Sequence, residues 1–184
     1  MLLKALEGCA KSQTEWHGAP LHFTRHRGDG WQVVLARPEM ALRSALAFRA
    51  ALRAEGSEFD TIMGVAIGWV IGKLGPDLNS EVGQVFHDSG EALEVIKAEL
   101  DQSLYFHKEN NMDAVAVLAD AISQDWTPSQ AASVLPNLDP SGAPTQTALA
   151  RTMGKSRQAI KKSLDAAKFY ALYLAISKIE RCER

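Results

Sequence analysis

Residues Pro144 to Phe169, PTQTALARTMGKSRQAIKKSLDAAKF, limit the fold more than any other stretch, because they spell two short helices with a glycine turn between them. Thr145 can cap a helix starting at Gln146, its hydroxyl accepting from an otherwise unpaired N–H of the first turn. Leu149, Ala150 and Met153 recur at helical spacing and give that helix one apolar edge. Gly154 follows, where a tight turn takes a positive φ without steric cost. A second helix runs from about Ser156 with Ile160, Leu164 and Ala167 as its inner face, and the small Ala150 lets the two helices cross closely. The pattern predicts a helix-turn-helix over residues 145–167, its second helix aimed outward like one that enters the DNA major groove.

The outer face of that second helix suits the task. At about 100° per residue, Gln158, Lys161 and Lys162 lie opposite Ile160, with Ser156 and Arg157 at the borders. All five reach phosphate oxygens, and Gln, Arg and Lys also donate to purine edges, so these are the expected DNA contacts. Asp165, one turn later on the same face, repels phosphate, and contact should fade there. Lys155 stands at a turn position that is commonly apolar in such motifs. The alternative is a helical hairpin that packs against the rest of the chain and leaves its lysines solvated, since short patterns of this kind arise often by chance.

Charge favours the first reading. The chain carries 20 basic and 22 acidic residues, but residues 1–143 hold 11 and 19 of them while residues 144–184 hold 9 and 3. A basic module on an acidic body is the footprint of a nucleic-acid contact. A membrane is not expected: no apolar run approaches the roughly 20 residues that span a bilayer, and Phe169, Tyr170, Leu172, Tyr173, Ile176 and Ile179 read as a packing stripe. The opening MLLKALEGCAKSQTEWH lacks the layout of a secretory signal. Cys9 and Cys182 have no metal-type spacing and are expected to stay reduced in a cytoplasm. With 46% hydrophobic residues, the chain can build substantial cores.

Upstream, residues 2–15 read as an amphipathic helix. Leu21–His26 and Trp31–Leu35 read as strands around Asp29-Gly30, a dipeptide that favours a hairpin turn with two positive φ values. A long helix is expected over Pro38–Glu55, with Pro38 in its first turn, Gly56 at its end, and Met40, Leu42, Ala45, Leu46, Phe48 and Leu52 along its apolar side. Thr61–Val70, TIMGVAIGWV, reads as a buried strand, after which the chain turns irregular. Further helices are expected over Gly90–Leu100, over Met112–Ile122 and, with Thr127 as cap and Pro128 in the first turn, as far as Leu135. Leu104–His107 reads as a short strand. The fold class is α+β: a truncated ferredoxin-like sheet with helices over residues 1–110, followed by an all-α domain over residues 111–184.

The elements RHRGDGWQVVL, PEMALRSALAFRAALRA, TIMGVAIGWV, FHDSGEALEVIK and DWTPSQAASVL, with the helix-turn-helix after them, resemble the bacterial SatD-type proteins over about residues 20–170. The resemblance implies a domain related to the class III nucleotidyl cyclases ahead of the DNA-reading module. In the cyclases a Gly-Asp at the hairpin tip supplies one metal-binding carboxylate, which corresponds here to Gly28-Asp29. Their other metal carboxylate lies on a strand before the first helix, and this chain opens on that helix, so its loss is expected. The cyclase helix that stabilises the transition state carries Asn and Arg four and eight residues after a glycine; counted from Gly90, those places hold Glu94 and Ala98. Phosphoryl chemistry needs metal and cationic groups, so no enzymatic activity is expected. Asp29 reads as a turn residue, with a nucleotide or metal beside it as the alternative. In the ferredoxin-like arrangement the absent strand is central, so its loss would expose unpaired backbone: either the start is assigned too late, or neighbouring strands close the gap, or a second subunit covers it.

Other constellations carry less. Gly154-Lys155-Ser156 ends like a phosphate-binding loop, but Leu149 stands where that loop needs glycine. His22 and His26 would lie roughly 13 Å apart on a strand, and His17, His87 and His107 have no suitably spaced partners. No metal and no cofactor is expected. Trp16, Trp31, Trp69 and Trp126 are expected to anchor cores. The apolar stripe from Phe169 to Ile179 packs under the helix-turn-helix or pairs with its copy in a homodimer, which would supply two half-sites. Together these features suggest a cytoplasmic transcriptional regulator that binds double-stranded DNA, its N-terminal domain serving dimerisation or sensing. A nucleotide-handling protein centred on Asp29 and a module that binds the transcription machinery are the alternatives.

Overall fold

The computed structural model describes residues 2–99, 101–107 and 111–182. Along the chain these form α1 (Leu2–Ser12), α2 (Thr14–His17), β1 (His22–Arg25), β2 (Trp31–Val34), α3 (Ala41–Glu55), β3 (Met63–Val65), α4 (Gln84–Glu99), β4 (Leu104–Phe106), α5 (Asn111–Ser123), α6 (Pro128–Val134), α7 (Gln146–Thr152), α8 (Arg157–Ala166) and α9 (Phe169–Cys182). The class is mixed α+β, with helix predominating.

α3 organises the rest. Pro38–Met40 form a 3₁₀ turn that leads into it, and every residue from Ala41 to Leu52 is buried. The sequence pattern places apolar residues on one side of this helix. The structure covers the other sides too, because Ala41, Ala45, Ala47, Ala50 and Ala51 keep its surface low and let α1, α5 and α6 pack closely. Inside this envelope lie two arginines, Arg43 and Arg49, which are 1% and 0% exposed. A buried guanidinium costs several kcal/mol unless it is paired and its remaining N–H groups are satisfied.

Arg43 meets both conditions; Arg49 is paired, but its buried Nε has no hydrogen-bond partner and lies 3.5 Å from Asp60 Oδ1. Arg43 donates from Nε and Nη2 to the two carboxylate oxygens of Glu180 on α9, at 2.6 and 2.8 Å, a bidentate geometry that matches fork to carboxylate. Its Nη1 donates to the Leu138 carbonyl at 2.9 Å, and the Tyr173 ring lies 4.9 Å from the guanidinium carbon. Arg49 pairs with Asp120 of α5 at 2.7 Å and donates to the hydroxyls of Ser103 and Ser123. Asp120 is saturated in turn by the Ser103 N–H and hydroxyl, at 2.8 and 2.9 Å, and by Gln124 at 2.7 Å.

The strands form two separate pairs. β1 and β2 are antiparallel, with Phe23 opposite Val33 and Arg25 opposite Trp31. Phe23 and Trp31 lie on Phe48 of α3, the Trp31 and Phe48 rings being 4.8 Å apart. The hairpin closes through a five-residue loop in which the His26 N–H donates to the Gly30 carbonyl at 2.8 Å. Gly28 takes the positive φ, at +67°, so the turn is not the two-residue type expected at Asp29-Gly30. The Arg25 guanidinium holds this loop by donating to the Gly28 carbonyl at 3.0 and 3.1 Å.

β3 and β4 are parallel, and among the described residues no ladder joins them to the hairpin. Two small sheets therefore stand where a single truncated ferredoxin-like sheet was expected. The expected buried strand over Thr61–Val70 is short for the same reason. Past Val65 it has no partner strand among the described residues, Gly68 falls within the expected run, and just beyond it Gly72 turns the chain at φ +90°. Ile71 and Trp69 are 99% and 93% exposed, so Trp69 anchors no core, whereas Trp16 and Trp126 do.

Other boundaries move by less. The first helix breaks after Ser12, and α4 starts at Gln84, six residues before the expected Gly90. Leu100, the expected end of α4, and residue 110, the expected domain boundary, lie outside the described residues. The buried core is continuous from α1 to α9, with α3 packed against α5 and α6.

The buried charges and the buried imidazole each lead to a prediction. Asp120→Ala strands Arg49 and should cost roughly 3–5 kcal/mol, read as a lowered denaturant midpoint; Arg49→Met combined with Asp120→Leu should recover most of that loss. His17 supplies the second. Its Nδ1 accepts the Arg37 N–H at 3.2 Å and its Nε2 faces the Ser44 hydroxyl at 3.0 Å, so the ring sits as the neutral tautomer. Burial first, then the Arg37 charge, hold its pKa below the ordinary 6.5, with Glu39 opposing. The unfolded chain therefore binds a proton that the folded chain refuses, and stability present above pH 6.5 is lost as the pH falls through the lowered folded value. Tm measured from about pH 7 to about pH 5 should fall less steeply in His17→Gln than in the parent.

Candidate nucleic-acid interface

α7 and α8 fall where the spacing of apolar residues places them. The Thr145 hydroxyl accepts from the Ala148 N–H at 3.1 Å and starts α7. Met153 ends it, Gly154 turns the chain at φ +62°, and the Lys155 N–H donates back to the Ala150 carbonyl at 2.9 Å. The Ser156 hydroxyl then accepts from the Ala159 N–H at 3.1 Å and caps α8. Leu149 and Ala150 of α7 are buried, as are Ile160, Leu164 and Ala167.

Two other helices make the platform for this pair. α6 starts with a capping box, Thr127 and Gln130 bonding reciprocally, and packs on both α3 and α8. Lys155 donates to the Ser129 hydroxyl of α6 at 2.8 Å, and Ser163 of α8 donates to the Ser129 carbonyl at 3.2 Å. Lys155, at a turn position that is commonly apolar, is therefore an anchor to α6. The buried Trp126 donates its indole N–H to the Ala167 carbonyl at 3.1 Å, satisfying an orphan carbonyl past the end of α8. Lys168, at φ +56°, turns the chain into α9, whose Phe169, Leu172, Ile176 and Ile179 are buried within this same chain. Of the expected stripe, Tyr170 is exposed and Tyr173 half-buried.

The opposite side of α8 is open. Ser156, Arg157, Gln158, Lys161 and Lys162 are all exposed, and the helix brings the last four onto one face. Asp165 shares that face and accepts from Lys161 at 2.6 Å. This hydrogen bond, and then the opposite charge, hold the Lys161 pKa above its ordinary value. Glu180, another of the few acidic groups in this segment, is buried against Arg43, so it offsets none of the cationic charge on the α8 surface.

The other expected site residue stands apart. Asp29 is exposed on the hairpin loop and belongs to no group of three or more potential metal ligands among the described residues. Two hollows, of about 320 and 390 Å³, open elsewhere, one between α1 and Phe23 and one between β2 and Val70–Leu74. Glu94 and Ala98, the two positions counted from Gly90, are exposed on α4, with Glu94 2.8 Å from Lys97. Cys9 is buried and its thiol is pushed up to about 12 by burial, which removes it as a nucleophile at neutral pH.

One group of residues escapes the sequence pattern. His87, Asp88, Glu91 and His107 converge at the start of α4 and the end of β4. A helix begun at Gly90 leaves His87 outside it; begun at Gln84, it puts His87 and Glu91 one turn apart on the same face.

Comparison with family models, with curated proteins and with solved structures returns no match for this chain. No helix among the described residues is long and apolar enough to cross a membrane.

Removing the cap of α8 tests how this face is held. Ser156→Ala should lower stability by about 1 kcal/mol, and Ser156→Gly by only a few tenths, both measured by thermal denaturation.

Proposed function

We propose that this chain is a DNA-binding transcriptional regulator of the cytoplasm, which reads double-stranded DNA with α8 as the second helix of a helix-turn-helix. One observation carries the reading. α8 is capped at Ser156, buried along Ile160 and Leu164, and exposes Arg157, Gln158, Lys161 and Lys162 together on its free side. A helix held this firmly on one face can enter a groove on the other without reorganising. Cations set the affinity through phosphate neutralisation, and Gln158 and Arg157 are placed to sample base edges.

The α+β part would serve dimerisation or sensing, as a degenerate cyclase-like domain of the SatD type, a likeness that rests on the short motifs alone. A homodimer would present two copies of α8 to two half-sites. The stripe on α9 is already covered within the chain, so another surface would have to join the copies.

The test is a titration of labelled DNA, including the region upstream of the chain's own coding sequence, at several salt concentrations. Tight binding to one fragment that weakens with salt supports the reading, and no binding at low salt overturns it. The double variant Lys161→Ala, Lys162→Ala should keep the fold and reduce the slope of log K against log salt by about 1.8, because two phosphates are then left unneutralised; an unchanged slope removes both lysines from the interface. Asp165→Asn, which frees Lys161 and deletes a repulsive charge, should tighten binding at low salt.

A further inference from the structure

α4 lies directly on β3. A Cβ at Gly64 would come within 2.4 Å of the Ser89 carbonyl oxygen and 2.5 Å of the Leu93 nitrogen, so only glycine admits this approach. The β3–β4 ladder continues one residue beyond β4, where the His107 N–H donates to the Val65 carbonyl at 2.7 Å. These two constraints hold His107 against the first turns of α4. There its Nε2 lies 3.3 Å from Glu91 Oε2 and its Nδ1 lies 3.6 Å from Asp88 Oδ2. His87 Nδ1 lies 3.7 Å from Glu91 Oε1, and one ligating atom from each of His87, Asp88 and Glu91 falls within 4.8 Å of the others. Asp88 is buried, and its Oδ1 accepts from Gln84 at 2.6 Å.

These separations are informative. Hydrogen bonds between such groups close to about 2.7–3.2 Å, and His107 Nδ1 is buried without a hydrogen-bond partner. His107 meets Asp88 through Nδ1 and Glu91 through Nε2, so a single ion takes only one of its nitrogens; the converged set is His87, Asp88 and Glu91, whose ligating atoms all lie within 4.8 Å of one another, a spread that the exposed His87 and Glu91 side chains can close around one ion. We propose that His87, Asp88, Glu91 and His107 form a binding site for a divalent first-row transition-metal ion of the zinc class. His87, Asp88 and Glu91 supply the converged donors, His107 is the fourth within reach, and Gln84 orients Asp88 as an outer partner. Imidazole nitrogens select this class over magnesium and calcium, which take oxygen ligands. The positive end of α4 opposes a cation with about half a charge, and the two carboxylates outweigh it. The site is independent of the DNA reading.

The test uses the untagged full chain, titrated with Zn2+ against a chromophoric chelator and loaded separately with Co2+ for its visible absorption. The expected result is one equivalent of saturable binding, with a four-coordinate cobalt spectrum. His87→Gln and Glu91→Gln alter exposed side chains and should each weaken binding by at least about 10-fold, with circular dichroism unchanged. His22→Gln, at an exposed histidine on β1, should leave it unaltered. Failure to take up one equivalent, or equal affinity in the double variant His87→Gln, Glu91→Gln, overturns the proposal.

Discussion

Two guanidinium groups sit inside a helix that has no exposed side, and most of the chain's long-range order answers to them. α3 is rich in alanine, so its neighbours can come close, but closeness alone would leave Arg43 and Arg49 as stranded charges. Each is neutralised by a carboxylate from a distant helix, Glu180 of α9 and Asp120 of α5. Apolar burial by itself has no direction. The fork of Arg43 on Glu180 supplies one, because only one placement of α9 satisfies both nitrogens.

That placement is what gives α8 its stance. α9 is fixed to α3 through Glu180 and to the core through Phe169, Leu172 and Ile176. α6 is fixed to α3 as well and reaches α8 through Ser129. α8 therefore rests on two supports that share one foundation, and its cationic side faces outward because its other side is occupied. The interface proposed for DNA is thus a rigid surface set by packing some distance from it.

Local signals were the legible part. Thr145, Ser156 and Thr127 all act as the caps that their positions before helical runs suggest, and Gly154 turns the chain as expected. These features depend on a few neighbouring residues, so a one-dimensional pattern contains them. The rest depends on partners. Arg43 and Arg49 look like solvated positions until Glu180 and Asp120 are seen beside them. Thr61–Val70 has strand composition throughout, yet only Met63–Val65 finds a partner strand. The His87–His107 cluster was hidden by the start of α4: no strong cap precedes Gln84, and the glycines at 83 and 90 read as loop. Asp29 and Glu94, the positions through which the cyclase resemblance would act, lie exposed on separate elements.

The Arg43–Glu180 pair also bears on the order of events during synthesis. The two residues are separated by 137 positions, so α3 emerges from the ribosome long before its counterion does. Until α9 follows, the helix destined for the centre carries a charge that resists being buried, and collapse around it stays incomplete. Long-range contacts of this kind slow folding, because chain entropy is lost before the contact is gained. α9, made long after α3, thus acts as a latch on the core around α3 through the Arg43–Glu180 pair.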